Sequence, residues 1–254
     1  MRYSHRIQVI LNLQLPLCRR LLDIGCGSGE YATAMSSRFG VTELYGIDMG
    51  EDAIRMAHGR GINAVNHDLN NTPYPFDDNE FNLVYAGEII EHLLSPDSLL
   101  EEIWRVLKSD GYCIISTPNI ASWSSRLLLL FGWQPYNIPI PSKVRGAGAF
   151  MSKARSTVIR TPRNISTTGG VVSNHIQFFT CNAFVDLIAA HGFRVEKVIG
   201  SPADEFTFPM NRALRRLITG LDKWVSILST SLASDVTVVA VKGDKNIAEG
   251  EVYT

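Results

Sequence analysis

Between Gly111 and Val185 the chain contains no Asp or Glu, although Arg126, Lys143, Arg145, Lys153, Arg155, Arg160 and Arg163 all fall there. The 254 residues still balance to a formal net charge of −1, so bulk charge points to neither nucleic acid nor membrane. The acids are concentrated from Glu43 to Asp110, where fourteen Asp and Glu are set against Arg55, Arg60, Arg105 and Lys108. Cysteine is scarce as well. Cys18, Cys26, Cys113 and Cys181 have the spacing neither of a disulfide framework nor of a CxxC zinc site. Cys113 lies in an apolar run and reads as a small buried hydrophobe. No apolar run approaches the roughly 20 residues that span a bilayer. The first residues lack the basic start, apolar core and small-residue cleavage site of a secretory leader, and the run from Ile7 to Leu17 is broken by Asn12, Gln14 and Pro16. These absences point to a reducing, cytoplasmic setting without a transmembrane segment.

What is present is a βα alternation, and with 45% hydrophobic residues the chain supports one domain over 1–254. Leu21–Ile24 reads as a short buried strand, Tyr31–Phe39 as a helix closed by Gly40, and Glu43–Ile47 as a second strand. A helix follows from Glu51 to His58, then strands over Asn63–Asn66 and Phe81–Tyr85. Pro96-Asp97 opens a helix in which Leu99, Leu100, Ile103, Val106 and Leu107 recur at helical spacing. Ser109-Asp110-Gly111 ends it and turns into the strand Tyr112–Ser116. Thr180 caps a helix to His191, and Phe193–Ile199 and Asp235–Val241 are strands. The alternation implies an α/β fold, a doubly wound and mostly parallel sheet with helices on both faces. Two segments break the rhythm: an insertion at about 118–174, expected to be a lid, and a cap at about 201–233.

The sharpest local signal is Asp23-Ile24-Gly25-Cys26-Gly27-Ser28-Gly29, on a strand-to-helix turn. Glycines there let the backbone turn tightly and approach a ligand with no Cβ in the way. The next strand ends in Asp48, twenty-three residues after Gly25, where an acid can accept from both hydroxyls of a ribose. After the third strand comes Asp68-Leu69, an acid for an adenine amino group beside an apolar side chain for its ring. A dinucleotide needs a third glycine where Glu30 stands, and that carboxylate would repel a pyrophosphate at the helix start. S-adenosylmethionine, which has no phosphate, meets no such penalty.

The segments Leu21–Ala32, Tyr45–Asp48 and Phe81–Asn119 resemble the successive motifs of class I S-adenosylmethionine-dependent methyltransferases. The resemblance covers about residues 20 to 120 and 174 to 242. It implies a seven-stranded sheet whose last strand is antiparallel, with Asp235–Val241 as that strand. By position it implies that Asp23, Gly25, Gly27, Asp48, Met49, Asp68, Leu69 and Gly87 line the cofactor. Ser116–Pro118, Trp123–Leu130 and His175–Phe179 are similar to MetW-like proteins of the same fold.

Glu88, Glu91 and His92 follow the fourth strand at i, i+3 and i+4, a spacing that predicts one helix face. A Glu-x-x-Glu-His arrangement here resembles the O-methyltransferases of ubiquinone biosynthesis and the 2′-O-methyltransferases of small-RNA 3′ ends. That resemblance implies a divalent cation, Mg²⁺ or Mn²⁺, held by Glu88, Glu91, His92 and His175 against vicinal oxygens of the acceptor. The same residues also read without a metal, with His92 or His175 as general base and Glu88 shaping the pocket. His5, His58, His67 and His191 read as surface or turn residues. The acid-free stretch reads either as a basic lid over an anionic acceptor or as a solvated loop. Few aromatics interleave the cluster from Lys143 to Arg163, which disfavours nucleic acid. Leu127–Trp133 reads as core or lid, and the helix near Arg212–Leu228 as a pocket cap or a membrane-surface helix. The reading is O-methylation of a small molecule. Its alternatives are an RNA 2′-O-methyltransferase and a non-catalytic partner of a metabolic enzyme.

The turn chemistry makes a direct prediction. In titration calorimetry S-adenosylmethionine and S-adenosylhomocysteine bind and NAD binds poorly, while Asp48→Ala weakens S-adenosylmethionine by about 1–3 kcal/mol, the scale of hydrogen bonds to a charged acceptor. Tight NAD binding without S-adenosylmethionine binding would sink the reading.

Overall fold

The computed structural model describes residues 4–132, 135, 138, 175–203 and 212–243, with Arg212, Leu214 and Arg215 as backbone. Lys143, Arg145, Lys153, Arg155, Arg160 and Arg163 lie outside the described residues. The strands β1 (Arg20–Ile24), β2 (Glu43–Asp48), β3 (Asn63–Asn66), β4 (Phe81–Gly87), β5 (Leu107–Pro118), β6 (Phe193–Ser201) and β7 (Asp235–Lys242) form one seven-stranded sheet. Their order is β3-β2-β1-β4-β5-β7-β6, parallel except for β7, which is antiparallel to both neighbours. This is the sheet that the sequence implies.

Alternation along the strands explains the two layers. In β1, Leu22 and Ile24 face one side with Val84 and Ala86 of β4. There they pack against α4 (Pro96–Val106), through Leu99, Leu100 and Ile103, and against α6 (Cys181–Ala190), through Phe184 and Ile188. Leu21, Leu83 and Tyr85 face the other side. They meet α1 (His5–Leu11), α2 (Glu30–Phe39) and α3 (Glu51–His58) through Ile7, Ile10, Met35, Phe39 and Ile54. Strands covered on both faces read as continuous apolar runs, which is why β1 and β4 show no polar alternation.

The sequence reading names no element before β1, and two of its local expectations need correction. The interrupted apolar run near the start contains α1, with Ser4 Oγ accepting from Ile7 N–H at 3.3 Å and Ile7 and Ile10 buried. The helix expected to reach Leu107 stops at Val106. Leu107 is extended and pairs with Phe81, while Tyr112 pairs with Leu83. The turn read at Ser109-Asp110-Gly111 is therefore a bulge inside β5, with Asp110 at φ 58°. Finally, β4 runs on to Gly87, two residues beyond the expected end.

Beyond β5 lies α5 (Trp123–Leu130), and beyond β6 lie α7 (Arg212–Leu228) and a 3-10 turn at Thr230–Leu232. Two polar side chains fasten these segments. Asn119 donates to the carbonyls of Ser231 and Ala233 at 3.0 and 2.9 Å, and its own oxygen accepts from Ala121 N–H. Asp222 of α7 is fully buried. Its Oδ1 accepts from Trp123 Nε1 at 2.6 Å and from Ser234 Oγ at 2.8 Å, and its Oδ2 from Ala203 N–H at 2.7 Å. One carboxylate thus joins α5, α7, the exit of β6 and the approach to β7. Asp222→Ala strands those buried donors and should lower the unfolding free energy by about 3 kcal/mol in urea titration, with Asp222→Asn losing less. A change below about 0.5 kcal/mol, the size of an ordinary surface substitution, would show that the junction is held by packing alone.

Candidate functional site

The strand order reverses between β1 and β4, so α2 and α3 pass to one face and α4 to the other. The crevice beyond the strand ends at that reversal is where ligands bind in open α/β sheets. All eight residues expected around a cofactor come from the ends of four adjacent strands. Asp23 lies in β1 with Gly25 and Gly27 just beyond it, and Asp48 ends β2 with Met49 after it. Asp68 and Leu69 follow β3, and Gly87 ends β4.

Gly25 has φ 74°, a conformation that favours glycine, and a Cβ there would stand 2.6 Å from Ile89 Cδ1 and push that side chain aside. Gly27, at φ 50°, opens onto free space and donates its N–H to Asp48 Oδ2 at 2.9 Å. Asp48 Oδ1 accepts from Gly50 N–H at 2.8 Å. Asp48 therefore binds the turn after β1 to the turn after its own strand. Asp23 is 1% exposed, and its Oδ2 has no hydrogen-bond partner. Burial, then the charge of Asp48, pushes its pKa up to about 7, against an opposing hydrogen bond from Ala32 N–H. Asp68 is exposed and accepts from Asn70 N–H at 3.0 Å and from Asn70 Nδ2 at 3.1 Å, which hold its pKa below the ordinary value. Leu69 is buried in the core, whereas Met49 is exposed.

Glu88, Glu91 and His92 do not share a helix face. Glu88 sits at φ 55°, where a non-glycine residue costs on the order of 1–3 kcal/mol. Only one 3-10 turn, Ile90–His92, follows it. The turn sends the side chains apart. Glu88 faces Arg6 of α1 at 3.4 Å, while Glu91 points inward and is 1% exposed. Burial pulls the Arg6 pKa down, but the charges of Glu88 and Asp235 more than reverse this and leave it above its ordinary value. The Glu91 carboxyl is held well above the usual carboxylate range by burial and then by the charge of Glu88. Glu91 Oε2 accepts from Thr117 Oγ1 at 3.1 Å, and Glu91 Oε1 has no hydrogen-bond partner. His175 Nε2 and His92 Nε2 stand 3.7 and 3.9 Å from Oε1, and the two rings are 4.8 Å apart. Ile176 and Gln177 N–H both donate to the Glu91 carbonyl, at 2.9 and 3.1 Å, which places His175.

Glu91, His92 and His175 thus form a cluster whose ligating atoms lie within 4.8 Å of one another, and Glu88 is not part of it. Two imidazoles and a carboxylate oxygen lacking a hydrogen bond fit a divalent cation. With a single carboxylate the set suits Mn²⁺ better than Mg²⁺, which favours oxygen ligands. Sequence reasoning missed Arg6 and Thr117. Arg6 carries no local signal because α1 is itself inconspicuous, and the role of Thr117 depends on the pairing of β4 with β5.

Residues 22–115 match the model of a methyltransferase domain family. The ubiquinone biosynthesis O-methyltransferase of Glaesserella parasuis is 28% identical over 121 residues, 44% of this chain and 50% of that protein. The bifunctional methionine biosynthesis protein MetXA/MetW of Rhodopirellula baltica is 30% identical over 114 residues, 42% of this chain and 18% of that protein. The chain thus spans half or less of the length of these curated relatives. The solved structure of an S-adenosylmethionine-dependent methyltransferase from Methanosarcina mazei superposes with a TM-score of 0.57 at 19% identity, covering 92% of this chain and 97% of that one, a likeness of fold. With the glycine turn, the Gly27–Asp48 clamp and the antiparallel seventh strand all in place, residues 22–115 resemble a methyltransferase domain and the chain has the fold of solved S-adenosylmethionine-dependent methyltransferases.

Proposed function

We propose that this chain transfers the methyl group of S-adenosylmethionine to an oxygen of a small, anionic acceptor in the cytoplasm. The observation that carries the reading is the buried Asp23, with one oxygen lacking a partner, beside the Gly27–Asp48 clamp at the strand reversal. A buried carboxylate of this kind is costly alone and is relieved by a cationic ligand. The cofactor brings an ammonium and a sulfonium. Asp23 would meet its positive charge, Asp48 the ribose hydroxyls, and Asp68 with Leu69 the adenine. The four cysteines are free and buried, in keeping with a reducing compartment.

Methyl transfer is an in-line displacement at the sulfonium methyl, so the chain's tasks are to align the acceptor hydroxyl and take its proton. His92 and His175 are the bases within reach of the crevice. The Glu91 carbonyl fixes His175 through the backbone, and the inward Glu91 carboxyl stands 3.7 Å from His175 and 3.9 Å from His92. Arg6 offsets the charge of Glu88 and ties α1 to the end of β4. A divalent cation bound by Glu91, His92 and His175 would supply charge to lower the acceptor's pKa.

Two tests follow. A cationic ligand draws the Asp23 pKa down, so binding near neutrality releases a proton. Affinity for S-adenosylmethionine should therefore rise with pH up to about 7, the value at which burial and Asp48 hold this group, and level off above it. Calorimetry from pH 5.5 to 8 should show that slope for the native chain and its loss in Asp23→Asn. An equal slope in both would remove Asp23 from the cofactor site.

The second test separates metal from simple base. With a metal, methyl transfer vanishes in chelator, returns with Mn²⁺ and falls steeply in Glu91→Ala, whereas Glu88→Gln acts more weakly. With an imidazole base, chelator does nothing and the His92→Ala, His175→Ala double variant loses about 10²–10⁴-fold in rate. Full activity of the double variant in excess chelator would leave orientation alone to explain turnover.

A further inference from the structure

Helix α7 is amphipathic in the sense opposite to a helix that closes a core. Its polar residues Asp222 and Ser226 are buried. Leu217, Leu221, Trp224 and Leu228, at i, i+4, i+7 and i+11 along one side, are exposed, and Ile227 beside them is 83% open. A surface helix ordinarily turns such a stripe inward. Here the reversal is enforced by the three hydrogen bonds that Asp222 accepts from Trp123, Ser234 and Ala203. The stripe is rimmed by exposed Arg216 and Lys223. The helix also carries Arg212 and Arg215 in its sequence, and its one acid, Asp222, is the residue turned inward. Helix α5, joined to α7 by the Trp123–Asp222 bond, exposes Leu127, Leu129 and Leu130, with Phe131 just beyond its end. Pro118, which precedes α5, pairs with Asp235 at the start of β7, and Thr117 beside it bonds Glu91. Both apolar helices therefore connect to the same end of the β5–β7 pair as Thr117 and the site.

We propose that α7, with the end of α5, seats this chain on a bilayer surface that contains anionic lipid. Leu and Trp in one stripe with cations beside it are the makeup of a helix that lies in the interface plane. Among the described residues no helix is long and apolar enough to cross a membrane, so the contact is surface docking. The charge selects the occupant. A second copy of α7 would bring Arg216 and Lys223 against the same two cations, whereas phosphate headgroups complement them. Docking would hold the site at the bilayer surface, within reach of anionic acceptors gathered there, a consequence that rests on the methyl-transfer reading above.

Flotation of the full chain with vesicles of phosphatidylcholine, with and without phosphatidylglycerol, tests this. The chain should float with the anionic vesicles, less with the neutral ones, and less again in high salt. The part of the tryptophan emission lost in Trp224→Phe should shift to the blue with vesicles. The Leu217→Ser, Leu221→Ser, Leu228→Ser variant should bind anionic vesicles about tenfold or more weakly, because three exposed apolar side chains no longer enter the interface. Its thermal unfolding and S-adenosylmethionine binding should match the native chain. Absence of flotation with either vesicle overturns the proposal and leaves a protein partner as the occupant, and so does equal flotation of variant and native chain. A dimer in light scattering that the variant abolishes assigns the stripe to a second copy and also overturns it. A variant that unfolds well below the native chain shows that the stripe is covered by the chain itself. Failure of the native chain to bind S-adenosylmethionine in the same samples would sink the methyl-transfer reading and leave the flotation result standing.

Discussion

Because β2 and β3 lie on one side of β1 while β4 and β5 lie on the other, the helices that leave β1 and β4 go to opposite faces of the sheet. No helix crosses the edge between them, and the strand ends there carry main-chain groups that the ladder does not use. The details of the site follow from this constraint. The turn after β1 must reverse within a few residues, which sets the positive φ angles of Gly25 and Gly27 and aims the Gly27 amide at Asp48. The turn after β4 must do the same without a glycine, and Glu88 takes the left-handed conformation instead. That conformation is why one acid turns toward α1 while Glu91, three residues on, turns inward.

Much of this was legible in the sequence where the cause is local. The glycine turn and the acid ending β2 announce themselves, because a tight turn demands glycine and the acid stands at the end of the next strand, beside that turn. The apolar runs of β1, β4, β5 and β7 mark strands covered on both faces. The regular spacing of Leu99, Leu100 and Ile103 marks α4. Legibility ends where a residue's role is set by a distant partner. Helical periodicity places Glu88, Glu91 and His92 together, but the bond from Glu88 N–H to the Ser116 carbonyl and the pull of Arg6 break the helix before it can form. Helix α1 has only seven residues and two buried side chains, so Asn12 and Pro16 nearby outweigh its pattern. Asp222 reads as a surface acid on an amphipathic helix. Its three donors lie in three other segments, and no window of sequence contains them.

The two inward carboxyls, Asp23 and Glu91, share a logic. Each is buried, each leaves an oxygen without a hydrogen bond, and each is raised above the ordinary carboxylate range by burial first and a neighbouring acid second. A fold free of functional demand would replace such groups with apolar side chains of like size. Their cost is carried by the surrounding apolar packing, and it marks two places that a positive charge would relieve: one beside the glycine turn, one between the histidines.

The backbone bonds from Ile176 and Gln177 to the Glu91 carbonyl have a consequence for how such a site diversifies. Position 175 is delivered to the crevice by main-chain hydrogen bonds that depend on no particular side chain. It acts as a socket: an acid, a hydroxyl or an amide set there would arrive at the same spot as the imidazole, and the strands beneath would not have to move. On the proposed function, acceptor chemistry here can change by exchange of one residue while the glycine turn and Asp48, built on the separate junction of β1 and β2, are left untouched. A saturation library at position 175 samples reactivity on a constant scaffold.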